Sequence, residues 1–146
     1  KYSTLCDVFS VLTAGSSIIF CNTKEQVERL HEALKEDEFS VSKIHDEMTQ
    51  EERNVSSAEF RMGATRALIA TDVATGTHFQ SVGLLVNYYL PQERKFYVQR
   101  IGRAGKFGRR RVVINLATVQ DLKFLREIET HCHTVIQPMP ASFIGV

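Results

Sequence analysis

Several common features are missing from this 146-residue sequence, and each absence excludes a class of protein. No run of about 18 apolar residues occurs, so we expect no transmembrane helix and no membrane partner. The first residues also lack the apolar segment of a signal peptide. The three cysteines are odd in number and widely spaced, which excludes a disulfide framework and favours the reducing cytoplasm or nucleus. The chain does not begin with methionine, so we expect it to be part of a longer protein.

Loops that bind nucleotides or metals are missing as well. The sequence contains neither G-x-x-x-x-G-K-[ST] nor a G-x-G-x-x-G pattern after a predicted strand, and these loops cradle nucleotide phosphates in many proteins. The chain alone is therefore expected to supply only part of an ATP site. No metal centre is expected either, because the adjacent His131, Cys132 and His133 would point in different directions from a helix.

The composition that is present fits one globular domain over residues 1–146, with 43% hydrophobic and 24% charged residues. The net charge of +1 conceals two opposite blocks. Residues 24–59 hold eleven acidic and five basic side chains, whereas residues 94–111 hold eight basic side chains and no acidic one. The local excess of positive charge predicts a polyanionic partner. The alternative is that both blocks are solvated surface.

Short apolar segments alternate with amphipathic segments along the chain. Two of the amphipathic segments open with a capping box, Thr23-x-x-Gln26 and Thr49-x-x-Glu52, which marks the start of a helix. We predict strands over residues 17–21, 41–44, 66–70, 84–88 and 111–116, with a helix over 3–13 and further helices between and after the strands. This alternation is typical of an α/β protein with a doubly wound, mainly parallel sheet and helices on both faces.

In such a sheet, functional groups lie on loops at the carboxyl ends of the strands. Three of these loops carry threonine or histidine directly before a predicted helix: Asn22-Thr23, His45 to Thr49, and Thr71-Asp72. Helix N-termini present free amides that bind phosphates, so the three loops together could follow a nucleic-acid backbone. The competing interpretation is plain helix capping, which the same side chains perform in any protein.

The segment from Gln99 to Gly108 combines basic residues with three glycines. Arg100 and Arg103 are three residues apart and can leave one face of a helix, while the glycines allow a close approach of backbone to ligand. The Arg and Lys side chains from Arg100 to Lys106 could therefore clamp a transferring γ-phosphate, the role of an arginine finger, and the alternative is a solvated basic face. Arg109 to Arg111 are instead expected to be a solvated basic face.

Five segments, in the right order and spacing, resemble motifs of the second RecA-like domain of DEAD-box RNA helicases of the initiation-factor-4A type. They are residues 18–24 (motif IV), 45–53 (motif IVa), 70–73 (motif V), 87–91 and 99–108 (motif VI). The resemblance extends from Leu5 to about Pro140, nearly the whole chain. It implies a RecA-like fold, and it implies that a second RecA-like domain carries the Walker A loop and the DEAD motif.

The resemblance also implies particular ligands and roles. In this family two RecA-like domains close on ATP and single-stranded RNA, with magnesium held mainly by the other domain. The residues whose positions match RNA-backbone contacts are Asn22, Thr23, His45, Thr71, Asp72 and Gly76. Arg103 and Lys106 match the catalytic residues at the γ-phosphate, and Thr77 and His78 join them in the cofactor site. A helical-repeat scaffold protein of the initiation-factor type is a candidate partner.

Several positions depart from the family pattern. Motif V is one residue short, and the substituted positions are Asp46 for glycine, Thr75 for arginine, His78 and Tyr89 for aspartate, Gln99 for histidine and Lys106 for arginine. The sequence therefore leaves two hypotheses, an ATP-dependent RNA helicase or a degenerate, non-hydrolysing clamp or protein-binding adaptor. A third, an unrelated flavodoxin-like domain, would need a cofactor site that the sequence does not show.

Overall fold

The computed structural model describes residues 1–11, 15–76, 82–101 and 112–139. The strands are β1 (Ser16–Phe20), β2 (Val41–Ile44), β3 (Ala67–Ala70), β4 (Val82–Asn87) and β5 (Val112–Asn115). The helices are α1 (Tyr2–Val11), α2 (Lys24–Glu36), α3 (Gln50–Arg61), α4 (Arg94–Ile101) and α5 (Leu122–Cys132). The five predicted strands are confirmed, with ends that differ by at most two residues. Two short 3₁₀ turns, Asp72–Gly76 and Val119–Asp121, complete the described elements, and the first lies where a helix was predicted to follow Thr71-Asp72.

The five strands form one sheet in the order β2-β3-β1-β4-β5, and all four pairings are parallel. This confirms the prediction of a doubly wound parallel sheet. Because parallel strands share one carboxyl edge, the segments that follow β1, β2, β3 and β4 meet along that edge. The order also places β1 in the centre of the sheet, so Cys21 and Asn22 lie between the segments that follow β3 and β4.

Alternate residues of the strands pack on opposite faces of the sheet, as the period of a strand requires. Ile19 packs with α1 and α2 on one face, whereas Ile18 packs with Phe60 of α3 on the other. The residues of β1, β3 and β4 are almost all buried, which explains why these strands carry continuous apolar segments. Helices therefore cover both faces of the sheet, as predicted. None of the helices described is long and apolar enough to cross a membrane.

The predicted capping boxes set the starts of α2 and α3. Thr23 Oγ1 accepts from the Gln26 N–H at 3.2 Å, and Gln26 Oε1 accepts from the Thr23 N–H at 3.2 Å. The corresponding distances between Thr49 and Glu52 are 3.1 and 2.9 Å. Gly63 ends the α3 segment with a φ of 79°, a conformation that glycine adopts at little cost.

Candidate functional site

A buried arginine lies at the centre of the carboxyl edge. Arg100, near the end of α4, has a fully buried side chain, and its Nε and Nη2 donate to the two carboxylate oxygens of Asp72 at 2.7 and 2.9 Å. The Asp72 side chain is 26% exposed. The guanidinium also lies 5.0 Å from the centre of the Phe20 ring, a cation–π arrangement. Arg100 therefore attaches the turn after β3 to α4 and to the end of β1.

The remaining donors of Arg100 reach two further strand ends. Nη1 donates to Asn87 Oδ1 at 3.1 Å and to the Tyr89 carbonyl at 2.9 Å, both at the end of β4. Nη2 donates to Asn22 Oδ1 at 2.8 Å and to the Cys21 carbonyl at 3.3 Å, both after β1. One guanidinium thus fixes the segments that follow β1, β3 and β4 relative to one another.

This geometry corrects the expectation that Arg100 faces phosphates together with Arg103 and Lys106. All three guanidinium nitrogens of Arg100 bond within the domain, and none is exposed to a ligand. A sequence signal existed, because Tyr97 lies one helical turn before Arg100 on the buried side of α4. Arg103 and Lys106 lie outside the described residues, and so do Thr77, His78 and the triple-arginine segment 109–111.

The two motif IV residues differ, because Asn22 is bonded within the domain and Thr23 is exposed. The Asn22 amide donates to the Leu90 carbonyl at 2.9 Å and accepts from Arg100 at 2.8 Å, so both ends of this side chain are bonded within the domain. Thr23 is exposed and caps α2 through its hydroxyl oxygen. The capping interpretation is therefore correct for Thr23 Oγ1 as an acceptor, whereas its hydroxyl proton has no acceptor among the described residues.

The motif IVa loop is held by a buried histidine. His45 is 6% exposed, its Nε2 lies 2.8 Å from Glu28 Oε1, and its Nδ1 accepts from the Glu47 N–H at 3.2 Å. Both ring nitrogens are thus bonded within the domain, so a phosphate contact through this ring would require a bond to break. Glu28 also accepts from Lys43 Nζ at 2.7 Å, and this bond, followed by the one from His45, keeps the pKa of Glu28 below its usual value.

The Thr71 hydroxyl, at the start of motif V, has no hydrogen-bond partner among the described residues. Its residue is 5% exposed, and its Oγ1 is the only buried side-chain polar atom in the described ranges that has no partner. A buried polar group left without a hydrogen bond costs about 1–3 kcal/mol, so this hydroxyl favours a ligand or water at the edge. A ligand would reach it only after a local movement, since the atom lies below the surface. Gly76 ends the 3₁₀ turn that follows.

A polar cavity of about 310 Å³ lies between α3 and the turn after β3. It is lined by Ile44, Gln50, Arg53, Asn54, Ser57, Arg61 and Val73. The Arg53 guanidinium donates to the carbonyls of His45 and Asp46 at 3.2 and 2.9 Å. Residues 50, 54, 57 and 61 recur at helical spacing, a polar stripe that the sequence analysis did not single out. Within the described ranges, no group of three or more His, Cys, Asp or Glu side chains is placed to hold a metal ion.

Comparisons with known proteins identify the family to which this chain belongs. The family model of the helicase conserved C-terminal domain matches residues 1–108. The chain belongs to this family. It is 48% identical over 141 residues to eukaryotic initiation factor 4A-3 of Nicotiana plumbaginifolia and to the ATP-dependent RNA helicase FAL1 of Mycosarcoma maydis. In both cases 96% of this chain and 36% of the relative are covered, so the chain spans about a third of the length of these relatives.

Solved structures agree with this assignment. S. cerevisiae Dbp5 bound to RNA and ADP BeF3 matches with a TM-score of 0.85 at 31% identity, covering 92% of this chain and 37% of that chain. The C-terminal domain of the DEAD-box protein Dbp5 matches with a TM-score of 0.80 at 32% identity, covering 90% and 77%. The chain thus has the RecA-like fold of DEAD-box C-terminal domains and is similar in sequence to the initiation-factor-4A group. The predicted resemblance is confirmed.

Proposed function

We propose that this helicase C-terminal domain works within an ATP-dependent RNA helicase of the initiation-factor-4A type, where it binds the backbone of single-stranded RNA at its carboxyl edge. The observation that carries the proposal is the Arg100 network, which fixes the ends of β1, β3 and β4 in one arrangement. Loops fixed in this way can present amides and hydroxyls to successive phosphates without reading bases. The supporting similarity is 48% identity over almost the whole chain.

The six predicted RNA-binding residues take two roles in this proposal. Thr23, Thr71 and Gly76 are proposed to contact RNA, because the first is exposed, the second has an unfilled hydrogen bond, and the third ends a turn at the edge. Asn22, His45 and Asp72 are proposed to support these contacts instead, since the structure gives each side chain a partner within the domain.

The proposed nucleotide is ATP with magnesium, held between this domain and a second RecA-like domain. Arg100 is not available to this nucleotide, because its buried guanidinium is fully used inside the domain. Arg103 and Lys106 are proposed to face the γ-phosphate, and Thr77 and His78 to contact the rest of the nucleotide. A lysine at position 106 keeps the charge of an arginine finger but not its bidentate geometry. A cytoplasmic or nuclear location and a helical-repeat scaffold partner belong to the same proposal.

An adaptor without hydrolysis is the second candidate, and one observation favours it. Asp46 is exposed in the motif IVa loop, next to Glu47, where a phosphate backbone would have to pass. A negative side chain beside a phosphate repels it and weakens its binding. In this alternative the acidic block of residues 24–59 would bind a basic protein partner instead of RNA.

The longer protein that carries this domain can distinguish the two candidates. The experiment measures ATP hydrolysis with and without single-stranded RNA, and RNA affinity by fluorescence anisotropy at several salt concentrations. Hydrolysis stimulated by RNA supports the helicase. A folded protein that neither hydrolyses ATP nor binds RNA would refute it and leave the adaptor.

Two sets of substitutions then test the roles in the basic segment. Arg103→Ala should abolish hydrolysis and leave RNA affinity unchanged. Replacing Arg109, Arg110 and Arg111 together by alanine should weaken RNA binding in a salt-dependent way and leave hydrolysis at saturating RNA unchanged. If the two sets have the same effect on both measurements, the assigned roles are wrong.

A further inference from the structure

The loop that joins β2 to α3 is held from two sides by side chains. From α2, Glu28 accepts from the buried ring of His45, whose other nitrogen accepts the Glu47 N–H. From α3, Arg53 donates to the carbonyls of His45 and Asp46. The ring therefore connects Glu28 of α2 to the backbone of the loop.

The hydrogen bonds determine which nitrogen of His45 carries the proton. A backbone N–H can only donate, so Nδ1 beside Glu47 must be the unprotonated acceptor. The proton is then on Nε2, where it is donated to the Glu28 carboxylate at 2.8 Å. A second proton on the ring would place an N–H at Nδ1 against the Glu47 N–H, 3.2 Å away. Both groups would then be donors, and this bond could not persist.

Charged groups face this ring from every element packed against it. Glu28 on α2 and Lys43 on β2 form one ion pair beside it. Lys24, at the start of α2, pairs with Glu47 in the loop. On α3, Arg53 bonds to the His45 carbonyl, and the pKa of Glu52 is lowered first by its bonds to Thr49 and also by the charges of His45 and Lys43. In the loop itself, Asp46 adds one further negative charge.

We infer that His45 and Glu28 are positioning residues: the neutral ring, with its proton on Nε2, helps to hold the loop over residues 45–49 in the arrangement that admits RNA, and a second proton on the ring breaks its bond to the Glu47 N–H. This inference rests on the proposed function. It assigns His45 a role through the Glu47 backbone and gives Glu28, which the sequence analysis did not name, a role in RNA binding. The carboxylate of Glu28 selects the tautomer, since it accepts only from a protonated Nε2.

The direction of the pH effect separates this role from direct contact. A histidine that touched phosphate would bind RNA more tightly when it gained a proton and a positive charge. A histidine that positions the loop in its neutral form has the opposite effect, because protonation removes the Glu47 bond. We expect RNA affinity, measured from about pH 8 to about pH 5, to fall by about fivefold toward acid, the loss expected from the one hydrogen bond to the Glu47 N–H.

The test uses the longer protein and a single-stranded RNA of mixed sequence, with affinity measured over this pH range. His45→Asn can still accept near the Nδ1 position but cannot titrate, and His45→Gln can still donate toward Glu28. His31→Asn is the matched control, because His31 is a second, half-buried histidine on α2 that feels the charges of Lys43 and Glu28 but has no hydrogen bond to the loop. The inference expects the acid-side loss in wild type and in His31→Asn, and a flat profile in both His45 variants.

A second measurement makes the test independent of RNA affinity. Nitrogen NMR shifts of the imidazole report the tautomer, and the Glu47 amide shift should follow the His45 titration. A rise in affinity on the acid side that disappears in the His45 variants would overturn the inference in favour of direct contact. So would profiles that are identical in wild type and both His45 variants, or an Nδ1-protonated ring. If wild type binds no RNA at any pH while the Glu47 amide follows the titration, the proposed function fails and the loop assignment stands.

Discussion

Replacing Arg100 by alanine should lower the free energy of unfolding of this domain more than the replacement of an exposed residue. The change removes a fully buried guanidinium and with it the donors to Asp72, Asn87, Tyr89 and Asn22. Breaking a buried ion pair by removing one partner costs about 3–5 kcal/mol. Since Asp72 is 26% exposed and water can reach part of its carboxylate, we expect the lower part of that range, about 3 kcal/mol. The total free energy of unfolding of a protein domain is about 5–15 kcal/mol.

Urea unfolding followed by circular dichroism measures this loss. With a slope of about 2 kcal/mol per molar urea, the midpoint should fall by about 1.5 M, and the melting temperature by about 10 °C. Arg100→Lys keeps the charge but not the planar fork, so it should recover only part of the loss. Arg126→Ala is the matched control, because Arg126 is 65% exposed and its one ion pair among the described residues is with Glu129, three residues on. It should change stability by about 0.5 kcal/mol or less.

The reasoning would be refuted if Arg100→Ala unfolded within about 1 kcal/mol of wild type, the scale of an ordinary hydrogen bond. It would also be refuted if Arg100→Lys were as stable as wild type, because a single ammonium group cannot replace contacts in three directions. In either case the network would be a consequence of the fold and not one of its supports.

Three further predictions concern single side chains. Thr71→Val should leave stability unchanged or raise it by about 1 kcal/mol in urea unfolding, because it removes an unbonded hydroxyl; a clear loss would show that the hydroxyl has a partner. Burial raises the pKa of the Cys21 thiol to about 12, so a thiol reagent at neutral pH should modify Cys21 only after unfolding, and rapid labelling of the folded domain would contradict this. The pKa of Glu28 is lowered in the folded domain, first by Lys43. The contribution of Glu28 to stability is therefore complete above the pKa of the unfolded chain, and it disappears as the pH falls through the pKa of the folded domain. Lys43→Met should therefore reduce stability at neutral pH but not in acid, as acid titration of both proteins would show.

The parts of the fold that could be predicted from the sequence are those with local causes. Strands β1, β3 and β4 carry continuous apolar segments because both faces are buried, and α2 and α3 begin at capping boxes whose partners are three residues apart. The family assignment also followed from short ordered motifs, and the comparisons confirm it.

The parts that could not be predicted depend on distant partners. Arg100 looked like one more residue of a basic segment, and only the folded chain brings it to Asn22, 78 positions earlier. His45 looked like a ligand because its partner Glu28 is 17 residues away on another element. Composition and spacing describe neighbours along the chain, whereas burial of a charged or titratable group is decided by residues from other elements.

Arg100 follows all of β1 to β4 along the chain, and this order has a consequence for how the domain folds during synthesis. During synthesis, β1 to β4 emerge before α4. The ends of β1, β3 and β4 are therefore fixed relative to one another only after the Arg100 guanidinium has emerged. Until then, the Asn87 side chain and the carbonyl groups of Cys21 and Tyr89 lack this donor. The edge that we propose to bind RNA is therefore completed late in folding, through contacts of long sequence separation that form slowly. A nascent chain that has not yet reached α4 can pair the strands from β1 to β4 but cannot yet form the finished surface.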